Sequence, residues 1–266
     1  MRVGRKRWLL ALMLAVAVCA LAATGADAAT VLLYDDFDAT TGTQPADATA
    51  LWRSAVDSIP GLSVIQVGSD TDFLTNLALL GPGDLVVAQF AQDHGGITPV
   101  HFTTFRLLGG LIIFSSWTNT YDTAFPGVQQ SVDPGPPVTL LEILDPTELT
   151  LTRFADGLST SQPLLGNGVN GNIFPIARVL DNPPGTLGVA GTFTGGSPGI
   201  VVSEGQFIVN AFQGDTFVAP ADEIQLYRNE VLSLVAVPEP ATLALVGTGL
   251  IAIAGLGHWR RTREKR

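Results

Sequence analysis

The sequence predicts an α/β domain on a doubly wound, mostly parallel sheet with a β-rich C-terminal part. Two observations lead to this prediction. Between residues 30 and 115, short apolar runs alternate with helical stretches of about ten residues. Beyond residue 172, compact apolar runs follow one another and are separated by turns rich in Gly and Pro. Strands that alternate with helices form parallel sheets through right-handed crossovers.

The first half of the domain alternates strand and helix. The predicted strands are Val31–Tyr34, Ser63–Val67, Asp84–Phe90 and Leu111–Ser115. The predicted helices are Ala48–Ser58, Thr71–Leu80 and Pro99–Leu108, with Asp70 or Thr71 as the cap of the second.

The second half is less regular. Residues 118–172 are predicted to be an irregular insertion or lid, with strands around 138–143 and 149–154. A final helix is predicted at Pro220–Leu234, with an apolar stripe formed by Ile224, Tyr227, Val231 and Leu234. The remaining β candidates are Gly171–Leu180, Leu187–Phe193, Gly199–Ser203 and Gln206–Val209.

The charge of the domain excludes one class of partner. Residues 29–236 carry five arginines, no lysine and 21 acidic residues, which gives a formal charge of −16. Such a surface repels phosphate backbones, so we expect no nucleic-acid binding. The single cysteine, Cys19, precedes the domain, so we predict no disulfide, no thiolate nucleophile and no cysteine metal ligand in it.

The N-terminus has the pattern of a secretory signal peptide. Four basic residues occur in the first seven positions, an apolar run spans residues 8–23, and Ala26-Asp27-Ala28 has the small-x-small form of a cleavage site. We therefore predict that residues 1–28 are a signal peptide, removed by signal peptidase after Ala28. The alternative is an uncleaved N-terminal anchor, for which the apolar run is short.

Residues 237–266 have three successive parts. Residues 237–240 contain Pro238-Glu239-Pro240, and residues 241–259 are long and apolar enough for one transmembrane helix. A basic tail at 260–266 predicts a cytoplasmic end, which leaves the domain across the membrane. The basic residues of the tail are Arg260, Arg261, Arg263, Lys265 and Arg266.

This order of parts resembles the PEP-CTERM sorting signal. The resemblance implies that Pro238, Glu239 and Pro240 are recognition or processing residues and that the helix is a transient membrane anchor. It also implies an exosortase as processing enzyme, a destination at the cell surface or in an extracellular biofilm matrix, and extracellular polysaccharide as a partner. The alternative is an ordinary single-pass anchor in which the prolines end a helix.

Polar residues follow three predicted strands of the parallel part. Asp35 and Asp36 follow the first, Asp93 and His94 the third, and Ser115 ends the fourth. Ligands bind beyond the carboxyl ends of such strands, and a Ser, His and Asp set is the type of arrangement that builds a hydrolase. The G-x-S-x-G elbow of such hydrolases is missing, so capping of strand ends is the simpler interpretation.

Metal and sugar sites have only weak signals. The Asp35–Asp38 cluster suits calcium but lacks the spacing of a known loop, so no metal site or cofactor is predicted and calcium stays open. His94 and His101 lack a third nitrogen or sulfur ligand in the domain. Four aromatic residues offer either a sugar platform or ordinary core, and these are Trp52, Trp117, Tyr121 and Phe125.

Three apolar segments resemble a second family. Gly109–Phe114, Gly199–Val202 and Leu226–Glu230 are similar to the glutamine-amidotransferase-like α/β fold, including its trehalose-utilisation relatives. Enzymes of that fold place a cysteine nucleophile on a strand-to-helix turn. This chain has Ser115-Ser116-Trp117 there, so the resemblance does not carry amidotransferase activity over.

Three hypotheses follow. The first is an exported, non-enzymatic surface or matrix protein that is sorted by its C-terminal tail. The second is an exported sugar-binding or hydrolytic domain that uses the strand-end pocket. The third is a periplasmic domain that stays anchored in the membrane.

Overall fold

We analysed a computed structural model of the chain. It describes residues 29–35, 48–90, 96–116, 119–131, 138–146, 149, 154–164, 176–181, 185–212 and 217–235. The predicted signal peptide at 1–28 and the predicted sorting segment at 237–266 lie outside these residues.

The described residues form eleven strands and four α-helices. The strands are β1 Thr30–Asp35, β2 Ser63–Val67, β3 Leu85–Phe90, β4 Leu111–Ser116, β5 Val128–Gln130, β6 Leu140–Ile143, β7 Ser161–Pro163, β8 Ile176–Val179, β9 Leu187–Phe193, β10 Pro198–Ser203 and β11 Phe207–Asn210. The helices are α1 Ala48–Asp57, α2 Asp70–Leu77, α3 Pro99–Leu107 and α4 Pro220–Leu234, with a 3₁₀ helix at Asn119–Ala124.

The first seven elements match the predicted ones closely, and α2 differs most. It ends at Leu77, three residues before the predicted end. Its N-cap is Ser69, whose hydroxyl accepts a hydrogen bond from the Asp72 backbone N–H at 3.2 Å. The prediction of Asp70 or Thr71 as the cap was therefore wrong, because a serine one position earlier satisfies the free N–H of the first turn.

Nine strands form one mixed sheet in the order β2-β1-β3-β4-β11-β10-β9-β6-β7. In the first part of this order, β2-β1-β3-β4-β11, all neighbouring strands are parallel. In the second part, β11-β10-β9-β6-β7, all neighbouring strands are antiparallel. The remaining strands, β5 and β8, form an antiparallel pair of their own.

The prediction of a mostly parallel sheet is corrected by this second half. Parallel neighbours need a crossover of a dozen or more residues, whereas a tight turn joins antiparallel neighbours only. A four-residue turn joins β9 to β10, and Gly195 and Gly196 in it have φ of 104° and 90°, values that favour glycine. A three-residue turn with Gly205 at φ 66° joins β10 to β11. These turns were visible in the sequence, but they specify the direction of the strands only once the strands are known to pair.

Residues 118–172, predicted to be an irregular insertion or lid, supply strands to both sheets. β6 pairs with β9 and with β7 at the far edge of the large sheet. β5 pairs with β8, which comes later in the chain. Of the strand predicted at 149–154, the described residues Leu149 and Phe154 are a bend and a turn.

Helices cover the parallel half of the sheet on two faces. Right-handed crossovers from β1 to β2 and from β2 to β3 place α1 and α2 on opposite faces. α1 packs against α4, and Trp52 of α1 stacks on Tyr227 of α4 with ring centroids 3.8 Å apart. No helix in the described ranges combines the length and the apolar character that crossing a membrane requires.

The core beside α2 and α3 is aromatic. Phe90 of β3 lies at its centre, with ring centroids 5.8 Å from Phe102 of α3, 5.4 Å from Phe114 of β4 and 4.9 Å from Tyr121. Most of these pairs meet edge to face, the arrangement that aromatic quadrupoles favour. The 3₁₀ helix is held here because Tyr121 donates a hydrogen bond to the Ile97 carbonyl at 3.1 Å.

Candidate functional site

Three buried polar residues form a row across the carboxyl ends of the parallel strands. Gln89 of β3 is paired in register with Ser115 of β4, and Ser115 with Asn210 of β11. The backbone of Asp35, at the end of β1, lies beside Gln89. Residues in register share a face of the sheet, and each of these alternates with an apolar neighbour. The row therefore lies at the edge where open α/β sheets bind ligands.

The row contains part of the predicted strand-end pocket. Ser115 lies in it, and Asp35 holds the last position of β1, with β3 between the two. Ser115 is only 2% exposed, so it lies inside the domain rather than in an open cleft. Asp36, Asp93 and His94 lie outside the described residues, so the pocket as a whole stays a prediction.

Helix α4 covers the row with its own polar side chains. Asn210 Nδ2 donates to Glu230 Oε2 at 3.0 Å, and Tyr227 Oη donates to Glu223 Oε1 at 2.9 Å. The backbone N–H of Phe217 donates to Glu223 Oε2 at 3.3 Å. Glu223 and Glu230 are both fully buried, an arrangement that carboxylates adopt only when they are well bonded or protonated.

Three buried polar atoms of this cluster have no hydrogen-bond partner among the described residues. They are Oε1 of Glu230, Oδ1 of Asn210 and Nε1 of Trp52. The two oxygens belong to side chains that already share one hydrogen bond. Because an unmet buried polar group is costly, each of these atoms needs an explanation.

The environment shifts the acid–base properties of the cluster. Burial raises the pKa of Glu230 to about 8; the hydrogen bond from Asn210 opposes this rise, and the negative charge of Glu223 adds to it. Burial also raises the pKa of Tyr227 well above its ordinary value of 10.0, helped by the charges of Glu223 and Glu230. Both shifts favour the protonated side chains.

Sequence reasoning missed most of this cluster. It placed α4 correctly but assigned its inner face to an apolar stripe that included Ile224, which is only partly buried. The fully buried residues Glu223 and Glu230 lie seven positions apart, on one face of the helix. A second signal was available in the strands, since Gln89 and Asn210 each interrupt an otherwise apolar run near its end.

The histidine and acidic candidates give no metal centre in the described part of the chain. No group of three His, Cys, Asp or Glu side chains suited to a metal occurs there. His101 accepts a hydrogen bond from the Thr98 backbone N–H through Nδ1 at 3.0 Å and thereby caps α3. Its predicted partner His94 lies outside the described residues, as do three of the four residues of the Asp35–Asp38 calcium candidate.

The aromatic candidates belong to the core. Trp52, Tyr121 and Phe125 are at most 2% exposed, and Trp117 lies outside the described residues. A groove of about 290 Å³ does lie between α2 and α3, away from the polar row. It is lined by Leu74, Leu77, Ala78, Leu80, His101, Thr104, Phe105 and Leu108.

These elements define an α/β domain with a large mixed sheet and a β-rich part. Nineteen chains of solved structures match the protein. One is a crystal structure of a protein described as ThuA-like from Bacteroides uniformis, with 13% identity and a TM-score of 0.48 over 78% of this chain and 91% of that chain. No curated protein matches.

A family model for the PEP-CTERM protein-sorting motif matches residues 236–261. The prediction made from Pro238-Glu239-Pro240 and the segments after it is confirmed: the C-terminal part of the chain carries a PEP-CTERM protein-sorting motif. The motif implies export, C-terminal membrane anchoring and an exosortase as the processing partner.

Proposed function

We propose that the protein is carried to the cell surface or into the extracellular polymeric matrix, where its domain has a non-enzymatic structural or interaction role. The observation that carries this proposal is the PEP-CTERM motif at residues 236–261. The signal-peptide pattern of residues 1–28 and the basic residues of 260–266 support the same route.

The charge of the domain supports an extracellular role. With five arginines and 21 acidic residues between 29 and 236, it carries a formal charge of −16. A large net charge of one sign keeps a protein soluble and weakens its association with polyanions. A matrix partner of this domain is therefore a neutral or cationic polysaccharide rather than an anionic one.

The burial of the polar row supports a non-enzymatic role. Four groups capable of nucleophilic or acid–base chemistry, Ser115 of the row and Glu223, Tyr227 and Glu230 of α4, are at most 2% exposed. A catalytic side chain must come within hydrogen-bonding distance of its substrate. At this exposure, the described fold gives a substrate no open path to these groups.

The sorting route is tested with intact mass and cell fractionation. The full-length chain is expressed in a host with an exosortase and in the same host without it. We expect a product truncated near Pro240 outside the cell only in the first host, and none from the variant Pro238→Ala/Pro240→Ala. Glu204→Gln, at an exposed turn, serves as the matched control. A tail-bearing membrane protein in both hosts would instead establish a permanent anchor.

One observation favours a second candidate, an exported sugar-binding or hydrolytic domain. The row from Gln89 to Asn210 lies at the edge where α/β sheets bind ligands. Binding of the host's extracellular polysaccharide, and its hydrolysis, are compared for the wild type and for Asp93→Ala, His94→Ala and the exposed control Asp156→Ala. Loss of hydrolysis in the first two variants alone contradicts the non-enzymatic role. Absence of both binding and hydrolysis in the wild type contradicts the second candidate, and equal activity of all four proteins contradicts the strand-end pocket as its site.

A further inference from the structure

The side chains of Glu230 and Asn210 are two planar groups that meet inside the domain. Both residues are 0% exposed. One hydrogen bond joins them, from Asn210 Nδ2 to Glu230 Oε2 at 3.0 Å. The second oxygen of each group, Glu230 Oε1 and Asn210 Oδ1, has no partner among the described residues.

The protonation state of Glu230 decides whether this arrangement is favourable. An ionised carboxylate is only an acceptor, so its Oε1 is unable to bond the amide oxygen of Asn210. A carboxylic acid carries one donor and one acceptor, as an amide does. Two antiparallel hydrogen bonds then close a ring between the groups, and both unpartnered oxygens are satisfied.

We propose that Glu230 binds a proton in the folded protein and, as a carboxylic acid, forms a two-bond ring with Asn210. In this ring Oε1 of Glu230 donates to Oδ1 of Asn210, while Oε2 accepts from Nδ2. The ring joins α4 to β11 and acts as a proton-dependent latch on the helix that precedes the sorting motif. Loss of the proton replaces one hydrogen bond with a repulsion between two acceptors.

The surroundings of Glu230 favour the proton. Among the described side chains, the titratable groups that face it are Glu223 and Tyr227 of α4 itself, and neither supplies positive charge. Against α4 pack β4 with Ser115 and α1 with Trp52, neither of which is charged. Arg53 and Asp57 of α1 pair with each other at 2.8 Å on its exposed side, and Asp156 of the turn beside α4 is exposed. Burial in such surroundings raises the pKa of Glu230 to about 8.

Glu223 provides a matched comparison on the same helix. It is equally buried, but its two oxygens accept from Tyr227 Oη and from the Phe217 N–H, so both of its oxygens already have donors. An amide at position 230 reproduces the donor and acceptor of a carboxylic acid. An amide at position 223 loses one acceptor and leaves a buried donor unmet.

The test compares Glu230→Gln with Glu223→Gln in the full-length chain in mild detergent. Urea unfolding is followed by circular dichroism between pH 6.5 and 8. We expect the folding equilibrium constant of the wild type to fall about tenfold per pH unit relative to that of Glu230→Gln. We expect Glu223→Gln to retain the pH dependence of the wild type. Its folding equilibrium constant should be lower than that of the wild type by about tenfold or more at every pH.

A second measurement needs no variant to be stable. Infrared spectra of the wild type at pH 7 should contain the carbonyl band of a buried carboxylic acid, which disappears as the pH is raised above 9. Absence of that band at pH 7, or identical pH slopes for the wild type and Glu230→Gln, would overturn the proposal. The urea midpoint is also measured at fixed ionic strength with and without added Na⁺ or Ca²⁺. If either cation raises the midpoint of the wild type but not that of Glu230→Gln, Glu230 Oε1 binds a metal cation and the proposal is overturned.

Discussion

The two faces of the sheet differ in chemistry at the same strand ends. On the face beside α3, Phe90 and Phe114 lie in a cluster of aromatic rings. On the face beside α4, Gln89 and Ser115, their immediate neighbours in β3 and β4, belong to the polar row. Both faces are buried, so the difference is not one of exposure.

This contrast shows two ways of stabilising one sheet. The aromatic face depends on apolar burial, which has little dependence on pH. The polar face depends on donors and acceptors that must match one by one, so its contribution changes when a single proton is lost. The following predictions test the contrast.

We expect the largest effect from Phe90→Ala. Its ring is fully buried, and the centroid distances to the rings of Tyr34, Phe102, Phe114 and Tyr121 are 4.9 to 5.8 Å. Removing a core phenyl group costs about 3–5 kcal/mol of unfolding free energy. Leu79→Ala, at a site 77% exposed, is the control and should change it by less than about 0.5 kcal/mol. Similar losses from the two changes would contradict an aromatic core at this face.

A smaller loss is expected from Asn210→Leu on the polar face. The leucine has nearly the same size but removes the amide and leaves Glu230 buried without it. We expect a loss of about 1–3 kcal/mol. The double variant Asn210→Leu/Glu230→Leu removes both partners and should recover most of that loss, as measured by urea unfolding. A double variant less stable than the single one would show that the pair is not an independent unit.

The pH dependence should separate the faces. A described carboxyl with a raised pKa lies near each face: burial raises the pKa of Glu230 to about 8, and partial burial raises that of Asp122, next to Tyr121, to about 6, with the Gln130 N–H opposing the second rise. A raised folded pKa means that the folded state holds the proton longer, so this stability is present at low pH and lost as pH rises. The loss spans pH 3.8 to 6 for Asp122 and 4.5 to 8 for Glu230.

For Glu230 the slope is about 1.4 kcal/mol per pH unit. The total loss for Asp122 is smaller because its folded and unfolded pKa values lie closer together and because water screens a half-buried group. Asp122→Asn should therefore remove only the loss of unfolding free energy that occurs below pH 6. Glu230→Gln should remove the loss that extends to pH 8. The check is the unfolding free energy at half-unit steps of pH; a single change that flattens the whole range would contradict two separate sites.

Ser115→Ala should have the smallest effect. The hydroxyl is small and lies in the polar row, so we expect a change of less than about 1 kcal/mol in unfolding free energy. This variant also sharpens the choice of function. If it keeps its stability but loses a polysaccharide-hydrolysing activity of the wild type, Ser115 is catalytic and the non-enzymatic role is wrong.

Local patterns predicted the parallel half of the fold and the sorting motif, because each depends on adjacent residues. The polar row was only partly predictable, since it requires β11 to lie beside β4, a pairing of Phe207 with Ile112 across almost a hundred positions. The burial of Glu223 and Glu230 was missed because charged residues on a helix are ordinarily exposed.

The position of α4 in the chain sets the order of events during export. Secretion delivers a polypeptide from its N-terminus, so α4 is the last of the described elements to arrive, directly ahead of the sorting motif. Before α4 arrives, the indole of Trp52 lacks the Tyr227 ring on which it stacks in the complete fold. Completion of the described fold and arrival of the sorting motif are therefore nearly simultaneous.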